Sequence, residues 1–366
     1  MTTTTKPLGR MQSIDFFRGL TMFLLIAEFS GLFELLISPP FDSGAIAQLA
    51  IQFHHHPWNG LRFWDLIQPF FMTIVGVSLA LAMNNRQRKG ASRNELNRHV
   101  AIRSVSLLLL GWGLYCIDDG GITWRFQNVL AQLGITYPLA YLVMHKSFRF
   151  QALFSIGLLL LSESLYRFFP VADFNQAYTA GLNVGEWIEL QLNGAIPGGH
   201  WVSLNALPTA AHTIWGVLAG QWLLGNATPN KKLKMLLLFG LVLLSLGYAL
   251  NPITPIIKRI ATSSFVLASG GWTILALAIS YYIIDIKKRS KGVLFFAVVG
   301  MNPLFIYLFA HVGGARLLER MVYPFSYGLT DWAGPQWAAL FTSLCVWGLL
   351  WGICRWLYSK NLFFRI

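Results

Sequence analysis

Long apolar runs separated by short polar connections dominate the chain. A helix needs about 20 mainly apolar residues to cross a bilayer, and ten runs have roughly this length. They cover residues 16–38, 66–84, 100–117, 127–144, 151–168, 206–224, 234–250, 263–284, 293–313 and 335–358. The pattern predicts an all-α, polytopic integral membrane protein with about ten transmembrane helices. An even number of spans places both termini on the same side of the bilayer.

Composition agrees with this class and excludes others. Apolar residues make up 55% of the chain and charged residues only 12%, whereas a soluble domain carries about 25% charged residues. The formal net charge of +13 would suit a nucleic-acid-binding protein if the charges formed one basic surface. They do not, because 18 of the 28 Lys and Arg residues lie in four alternating connections (85–99, 145–150, 225–234 and 285–292) and the two chain ends. Basic residues accumulate in cytoplasmic loops, so both termini are predicted to be cytoplasmic and no nucleic-acid partner is expected.

The remaining organisation is simple. We expect one transmembrane domain over 1–366, with a cytoplasmic tail at 1–12 and two main extracytoplasmic segments at 39–65 and 169–205. Residues 184–193 could form a short interfacial helix within the second segment. The three cysteines make no metal-ligand spacing, so no metal site is expected.

A histidine triplet, His54 to His56, is the sharpest local feature. Imidazole can accept and return a proton near neutral pH, although three adjacent histidines could also form a metal cluster or a solvated loop. The following Trp58-Asn59-Gly60 reads as a turn, and Asp65 stands at the start of an apolar helix. A carboxylate there can orient an imidazole, which favours a catalytic role without separating the three histidines.

Charged residues inside the first predicted span form a second group. Asp15 and Arg18 are three residues apart and share a helix face; a structural ion pair is favoured over direct ligand contact. Glu28 would lie more than halfway across the span. A carboxylate at membrane depth is a candidate functional residue, because burying it is costly unless it is paired.

The segment entering the eighth span carries an anion-binding pattern. Lys258, Arg259, Thr262 and Ser263 precede or begin a helix, where cations, hydroxyls and backbone N–H groups suit a phosphate or another anion. Interfacial snorkelling and helix capping explain the same residues equally well. Asn302-Pro303 breaks the ninth run, and such breaks release backbone groups that a substrate or a neighbouring segment can use.

Taken in order, these segments resemble the heparan-alpha-glucosaminide N-acetyltransferase family, a membrane group with many bacterial homologues. The matching segments are SIDFFRG (13–19), HHPWNGL (55–61), DLIQPFF (65–71), GVS (76–78), LPTA (207–210), GVLAG (216–220), Lys258 with TSSF (262–265), and GMNP (300–303).

The resemblance implies a transmembrane acetyltransferase of the bacterial inner membrane. It would move an acetyl group from cytoplasmic acetyl-CoA, a co-substrate, to an amino sugar or glycan acceptor outside. The family's active-site histidine lies three residues before the Trp of its Trp-Asn-Gly turn, which selects His55 as general base or acetyl carrier. Asp65 would orient it. The family's first-helix Asn falls on Phe29, so the neighbouring Glu28 is the candidate to replace it.

The same resemblance assigns further roles. Lys258, Thr262, Ser263 and Asn302 are expected to contribute to the coenzyme A site. A second set, which consists of Asp15, Arg18 and Asn59, is expected to brace the site. A homodimer is suggested only by analogy with the family.

Two other functions fit the composition. A transporter of an amino sugar or a related small molecule would use intramembrane carboxylates such as Glu28 and Glu163 to couple protons. It gives no reason for the His-Trp-Asn-Gly loop, and no inverted repeat is visible in the sequence. A membrane scaffold with partner-binding external loops is the weaker third alternative.

Overall fold

The computed structural model describes residues 11–169 and 171–364, and every regular element in this part of the chain is a helix. The all-helical prediction is therefore confirmed for these residues. Lys6, Arg10 and Arg365, and with them most of the predicted tail at 1–12, lie outside the described residues. Two compact units are present, one formed by 1–47 and 276–365 and the other by 48–275, and each is described by itself.

The described α-helices are α1 Gln12–Phe29, α2 Leu32–Leu35, α3 Gly44–Ala50, α4 Ile67–Arg88, α5 Arg93–Asp118, α6 Val129–Val143, α7 Phe148–Phe168, α8 Val184–Asn193, α9 Ala206–Leu224, α10 Pro229–Leu250, α11 Ser263–Ser280, α12 Val293–Gly300, α13 Pro303–Phe309, α14 Ala315–Thr330 and α15 Pro335–Ser359. Short 3₁₀ turns lie at Ile51–Phe53, Phe63–Leu66, Ser203–Asn205 and Asp331–Ala333, and π-helical turns lie at Tyr281–Ile286 and Ala310–Gly314.

Six of these helical segments are long and apolar enough to cross a membrane, or up to seven if one bent pair counts as a span, among the described residues. The bent pair is Val293–Gly300 with Pro303–Ala333, which turns by 68° at the break predicted around Pro303. The first predicted run, 16–38, is interrupted because α1 ends at Phe29 and Gly31 adopts a left-handed φ of +77°. A multi-pass membrane protein is supported, whereas about ten spans and cytoplasmic termini remain predictions.

In the unit formed by 48–275, α4 and α9 cross at very short range because both carry glycine at the crossing. An ideal Cβ at Gly76 would lie 2.0 Å from the carbonyl oxygen of Thr213, and one at Gly216 would lie 2.1 Å from that of Thr73. Small residues let membrane helices approach closely enough for backbone packing. Two of the sequence motifs, GVS and GVLAG, are therefore the contact surfaces of one helix pair.

The other unit uses the same device between α1 and α12. A Cβ at Gly19 would lie 2.1 Å from the carbonyl oxygen of Phe296. At the start of α1, both oxygens of Asp285 accept backbone N–H groups, from Gln12 and Ser13, each at 3.3 Å. A carboxylate there satisfies amides that have no partner within the helix and complements the positive end of the helix dipole.

Asp15 and Arg18 form the ion pair that their spacing predicts, with 2.7 Å between Asp15 Oδ1 and an Arg18 guanidinium nitrogen. Both residues lie on α1. Their assignment as bracing residues stays a prediction.

Within residues 48–275, hydrogen bonds join the connections of the long helices into two groups, a loop layer and a basic layer. The loop layer consists of connections 54–62, 119–128, 169–205 and 251–262. It is tied together by hydrogen bonds such as Trp58 Nε1 to Tyr178 O at 2.7 Å and Trp124 N to Asn193 Oδ1 at 3.0 Å. A helix with the predicted bounds, 184–193, lies in this layer.

The basic layer consists of connections 89–92, 144–147 and 225–228 at the opposite helix ends. Gln221, near the end of α9, donates from Nε2 to Met144 O at 2.6 Å and accepts from Gln151 Nε2 at 3.1 Å, which links 144–147 to the end of α9. Lys and Arg accumulate in the wider segments around these connections: 85–99, 145–150 and 225–234 hold ten of them, against four in the loop layer. The charge asymmetry of the sequence therefore corresponds to two opposite ends of this unit.

The α4–α9 crossing predicts opposite effects for two glycine substitutions. Gly76→Ala should lower the thermal unfolding midpoint in detergent, because its Cβ overlaps the Thr213 carbonyl and overpacking of this kind typically costs about 1–3 kcal/mol. Gly113→Ala on α5 is the matched control, since nothing lies within 4 Å of its Cβ position. It should be neutral or slightly stabilising, because alanine is the better helix former by about 1 kcal/mol. Equal midpoints for the two variants would contradict the crossing.

Candidate active site

The site is built around the carboxylate of Asp65, whose side chain is completely buried. Asp65 lies in the 3₁₀ turn Phe63–Leu66, which leads into α4, and it is three residues after Arg62, the residue that caps this turn. Its Oδ2 accepts the backbone N–H of Arg62 at 2.9 Å and that of His56 at 3.2 Å. One oxygen thus caps the helix start and closes the histidine loop, which leaves the other oxygen for the site.

His55 uses that second oxygen. Its Nδ1 lies 2.9 Å from Asp65 Oδ1, and its main-chain carbonyl accepts a bond from Arg62 Nη1 at 3.0 Å. Nδ1 lies within hydrogen-bond distance of both the Asp65 carboxylate and the Lys258 ammonium. In the tautomer that donates to Asp65, Nδ1 carries the proton and Nε2 is the lone-pair nitrogen of the neutral ring. The side chain is 33% exposed, so a reactant can reach the ring. This is the arrangement of a general base or nucleophile with its orienting carboxylate.

Lys258 is the third member of a triad with His55 and Asp65. Its Nζ lies 3.1 Å from His55 Nδ1 and 3.8 Å from Asp65 Oδ1, and its side chain is only 6% exposed. A buried ammonium is stable only when it is paired, and Asp65 supplies the opposite charge. The structure therefore brings His55 and Asp65 together with Lys258, although Lys258 lies 203 residues after His55 in the chain.

The Trp-Asn-Gly turn explains how Lys258 reaches the histidine loop. Asn59 forms an antiparallel bridge with Ile257, and the Gly60 N–H donates to Ile256 O at 2.8 Å. The turn is thereby fixed beside the residue preceding Lys258. This position fits the predicted bracing role of Asn59, which stays a prediction.

Thr262 shapes the lysine loop from its other end. Its hydroxyl accepts the Ile257 N–H at 3.0 Å and donates to Pro255 O at 2.7 Å. Ser263 is also engaged, since its hydroxyl lies 3.3 Å from both Leu159 O and a carboxylate oxygen of Glu163. The geometry gives both hydroxyls internal partners, and the predicted contact of these residues with coenzyme A stays a prediction.

The electrostatics of the site keep His55 neutral. Burial and the nearby Lys258 ammonium lower the pKa of His55 to about 4, against the opposing effect of Asp65. At neutral pH the ring is therefore unprotonated, and its Nε2 lone pair is available for a proton or an acyl group.

Two residues at the site, Trp201 and Arg62, were not assigned a role from the sequence, and Arg259 was considered only as part of the anion-binding pattern. The Trp201 indole packs edge-to-face on His55 with 5.2 Å between ring centroids, and it lies beneath Lys258 at 5.6 Å and Arg259 at 5.3 Å. Arg259 also donates to the Gly199 carbonyl, and burial lowers the pKa of its guanidinium. Arg62 holds the His55 carbonyl. Proximity to His54–His56 could have identified Arg62, but no local pattern indicates Trp201.

The neighbours of His55 have different surroundings. The His56 ring packs over Gly60, where a Cβ would lie 2.5 Å from its Nε2, and its backbone N–H is bonded to Asp65. His54 begins the extended stretch after the 3₁₀ turn Ile51–Phe53. The Asp65 contacts distinguish His55 from both neighbours, because its ring is the one of the three hydrogen-bonded to that carboxylate.

Other predicted site residues lie in the unit formed by 1–47 and 276–365. Glu28 is the penultimate residue of α1 and is exposed. Asn302 is buried at the break between α12 and α13, where its side chain donates to Leu362 O and accepts from Phe364 N, each at 2.9 Å. The amide thus fastens the C-terminal segment to the helix break. The active-site role of Glu28 and the coenzyme role of Asn302 stay predictions.

Among the residues that the structure describes, no group of three or more His, Cys, Asp or Glu side chains could hold a metal ion. The three consecutive histidines therefore do not converge with carboxylates or thiols on one point. This agrees with the alternating directions of adjacent side chains in an extended loop.

Sequence comparison decides the family. The model of the heparan-alpha-glucosaminide N-acetyltransferase catalytic region matches residues 10–247, more than half of the chain. The chain belongs to this family. The human heparan-alpha-glucosaminide N-acetyltransferase is 31% identical over 135 residues, which cover 35% of this chain and 18% of the human protein. The mouse protein of the same name is 24% identical over 432 residues, which cover 98% of this chain and 61% of the mouse protein.

The heparan-alpha-glucosaminide N-acetyltransferase match includes the His55 loop and Asp65 but ends before Lys258. The longer alignment to the mouse relative spans nearly the whole chain, including the lysine loop. This chain spans about three fifths of that relative's length.

The triad predicts a shift in His55 protonation when the lysine charge is removed. Lys258→Met should raise the His55 pKa above its value of about 4, because the ammonium disfavours the imidazolium form. Diethylpyrocarbonate reacts with the neutral ring. As the solution is acidified, modification of His55, localised by mass spectrometry, should therefore decline at a higher pH in Lys258→Met than in the unsubstituted protein. Lys231→Met, in the basic layer's flanking helix, is the control. If the pH of half-maximal His55 modification is the same in Lys258→Met as in the unsubstituted protein, the Lys258 charge does not control the His55 pKa.

Proposed function

We propose that this protein is a transmembrane acetyltransferase that transfers an acetyl group from acetyl-CoA to an amino sugar or glycan acceptor. The main support for this proposal is the neutral His55 held by a buried carboxylate, in a chain of the heparan-alpha-glucosaminide N-acetyltransferase family. Both relatives are named for N-acetyl transfer to a glucosaminide. The acceptor class proposed here follows from that name.

The chemistry requires a base or nucleophile that is unprotonated at neutral pH. His55 Nε2 fulfils this requirement, either by deprotonating the acceptor or by accepting the acetyl group itself. Asp65 fixes the tautomer through Nδ1 and stabilises the positive charge that develops on the ring. Without that carboxylate the ring would be free to present either nitrogen.

Lys258 acts at the reacting centre in this proposal. Its ammonium is buried against His55 and Asp65, which favours stabilisation of a developing oxyanion over contact with a solvated phosphate. The sequence predicts that Lys258 contributes to the coenzyme A site. In this proposal its contact is with the thioester end of acetyl-CoA.

The two layers of the unit 48–275 support transfer across a membrane. The site lies in the loop layer, whereas ten Lys and Arg residues lie at the opposite helix ends, in the segments 85–99, 145–150 and 225–234. Cytoplasmic loops are the ones rich in Lys and Arg, so the acceptor would approach from the extracytoplasmic side and acetyl-CoA from the cytoplasm. The thioester must then reach through the helical unit to His55.

Transport, the alternative raised by the sequence, gains no support from Glu163. This carboxylate is bonded to Arg167 at 2.6 Å and to Thr254 at 2.7 Å, and it also accepts from the Tyr178 hydroxyl. With the Ser263 hydroxyl at 3.3 Å, the carboxylate has four partners, one of them a guanidinium, and is fixed as a structural tie. Proton coupling would require these contacts to break.

The decisive measurement is incubation of the purified protein with labelled acetyl-CoA and a panel of amino sugars. We expect acetyl transfer to at least one acceptor, and His55→Ala should reduce it by at least about 10²-fold, the usual contribution of a general base. The fold should survive, because Asp65 keeps the N–H groups of Arg62 and His56 and the Lys258 ammonium.

His145→Ala, at the opposite end of the unit, is the matched control and should retain full transfer. Thermal unfolding in detergent checks the fold of both variants. Undiminished transfer by a folded His55→Ala protein would refute the assignment.

A further inference from the structure

A second imidazole–carboxylate pair lies in the loop layer beside the first. His200 Nδ1 is 2.5 Å from Glu186 Oε1, the carboxylate is completely buried, and the imidazole side chain is 41% exposed. The geometry repeats that of His55 and Asp65: a buried acceptor takes Nδ1–H and leaves Nε2 as the lone-pair nitrogen. The function proposed above does not use this pair.

The two pairs are joined by reciprocal ring contacts. His55 packs edge-to-face on Trp201, with 5.2 Å between ring centroids, and His200 packs edge-to-face on Trp58 at 5.8 Å. Trp201 directly follows His200, and Trp58 is three residues after His55. Each histidine therefore rests on the tryptophan of the other's segment, which places both imidazoles at the border of one aromatic-walled site.

Glu186 is held as firmly as Asp65. It lies on α8, where its Oε2 accepts the Gly181 N–H at 2.6 Å and the side-chain amide of Asn183, the residue that caps the helix. The remaining oxygen is directed to His200. A buried carboxylate with all its other bonding capacity filled by amides is a rigid acceptor, so it fixes the direction of the imidazole.

The backbone at His200 is also unusual. His200 adopts a left-handed conformation with φ +61°, directly after Gly199 at φ +80°. Non-glycine residues take this conformation at an energetic cost and are concentrated at functional sites. The Arg259 guanidinium binds the Gly199 carbonyl and thus ties this segment to the residue after Lys258.

Two imidazoles solve a chemical conflict in the proposed reaction. If His55 Nε2 carries the acetyl group, the same nitrogen cannot take a proton from the acceptor. We propose that His200, oriented by Glu186, is the base that receives the acceptor's proton, so that His55 is left to carry the acetyl group. This inference rests on the acetyltransferase function proposed above.

The proposed steps balance. His55 Nε2 attacks the thioester carbon, a C–N bond forms, the C–S bond breaks, and the thiolate leaves with the coenzyme. The acceptor amine then attacks the acetyl carbon and its new amide bond forms as the bond to His55 breaks. The amine proton passes to His200 Nε2, Glu186 stabilises the resulting imidazolium, and the exposed ring returns the proton to solvent.

A purely structural role for His200 makes a different prediction from catalysis. Asparagine at position 200 can place an N–H where His Nδ1 donates to Glu186, but it cannot accept a proton. His200→Asn therefore preserves the tie to α8 and removes the base. Glu186→Gln is the second variant, since its amide oxygen can accept from His200 but its neutral amide stabilises the imidazolium less. Its NH2 group then faces the Gly181 and Asn183 donors, so thermal unfolding in detergent checks its fold.

The test separates the two halves of the reaction in the purified full-length protein. With stoichiometric labelled acetyl-CoA, His200→Asn should release one equivalent of free thiol at within about threefold of the unsubstituted rate. Transfer to glucosamine should then fall by about 10²- to 10⁴-fold, the range for loss of a general base. Hydroxylamine, which attacks acyl-imidazoles without a protein base, should restore turnover. Glu186→Gln should show the same pattern with a smaller loss, and His145→Asn should behave as the unsubstituted protein.

Several outcomes would overturn the inference. Transfer to glucosamine by His200→Asn within about threefold of normal would show that the residue is not the base. A parallel loss of thiol release and transfer, with hydroxylamine ineffective, would show a structural role only. An unsubstituted protein that transfers no acetyl group would refute the proposed function itself, whereas an active protein with an active His200→Asn variant refutes only this inference.

Discussion

The candidate site depends on the burial of the Asp65 carboxylate. A carboxylate removed from water is destabilising unless hydrogen bonds and an opposite charge replace its hydration. Asp65 obtains these from two backbone amides, an imidazole and an ammonium. Its partners come from the histidine loop, the start of α4 and the loop before α11. Those three segments must therefore assemble together, and the geometry of His55 follows from the same requirement.

This constraint sets the chemistry of the imidazole as well as its position. Asp65 favours a protonated ring, whereas burial and Lys258 disfavour it, and the result is a pKa of about 4. A ring with so low a pKa is neutral at pH 7, so its lone pair is available, but it holds a proton only weakly. In the proposed reaction a second imidazole at His200 is therefore useful for receiving the acceptor's proton.

The sequence predicts the parts of this site that depend on local spacing. The helical spacing of Asp15 and Arg18, the helix at 184–193 and the run at 206–224 all follow from periodicity, and the structure contains them. Contacts such as that of Trp201 with His55 join segments about 150 residues apart, and no local pattern encodes them. The interruption after Phe29 was also missed, because a left-handed Gly31 in an apolar run does not change the hydropathy.

The motifs that reveal the family serve two different physical purposes. Gly76, Gly216 and Gly19 allow helix backbones to approach within distances that any Cβ would prevent, so their presence reports helix packing. His55, Asp65 and Lys258 are brought together by loops at one end of the unit 48–275, where their charges and hydrogen bonds determine reactivity. Resemblance in the first kind of motif argues for a shared fold alone. Shared chemistry is supported by the second kind, because those residues converge on the accessible imidazole of His55.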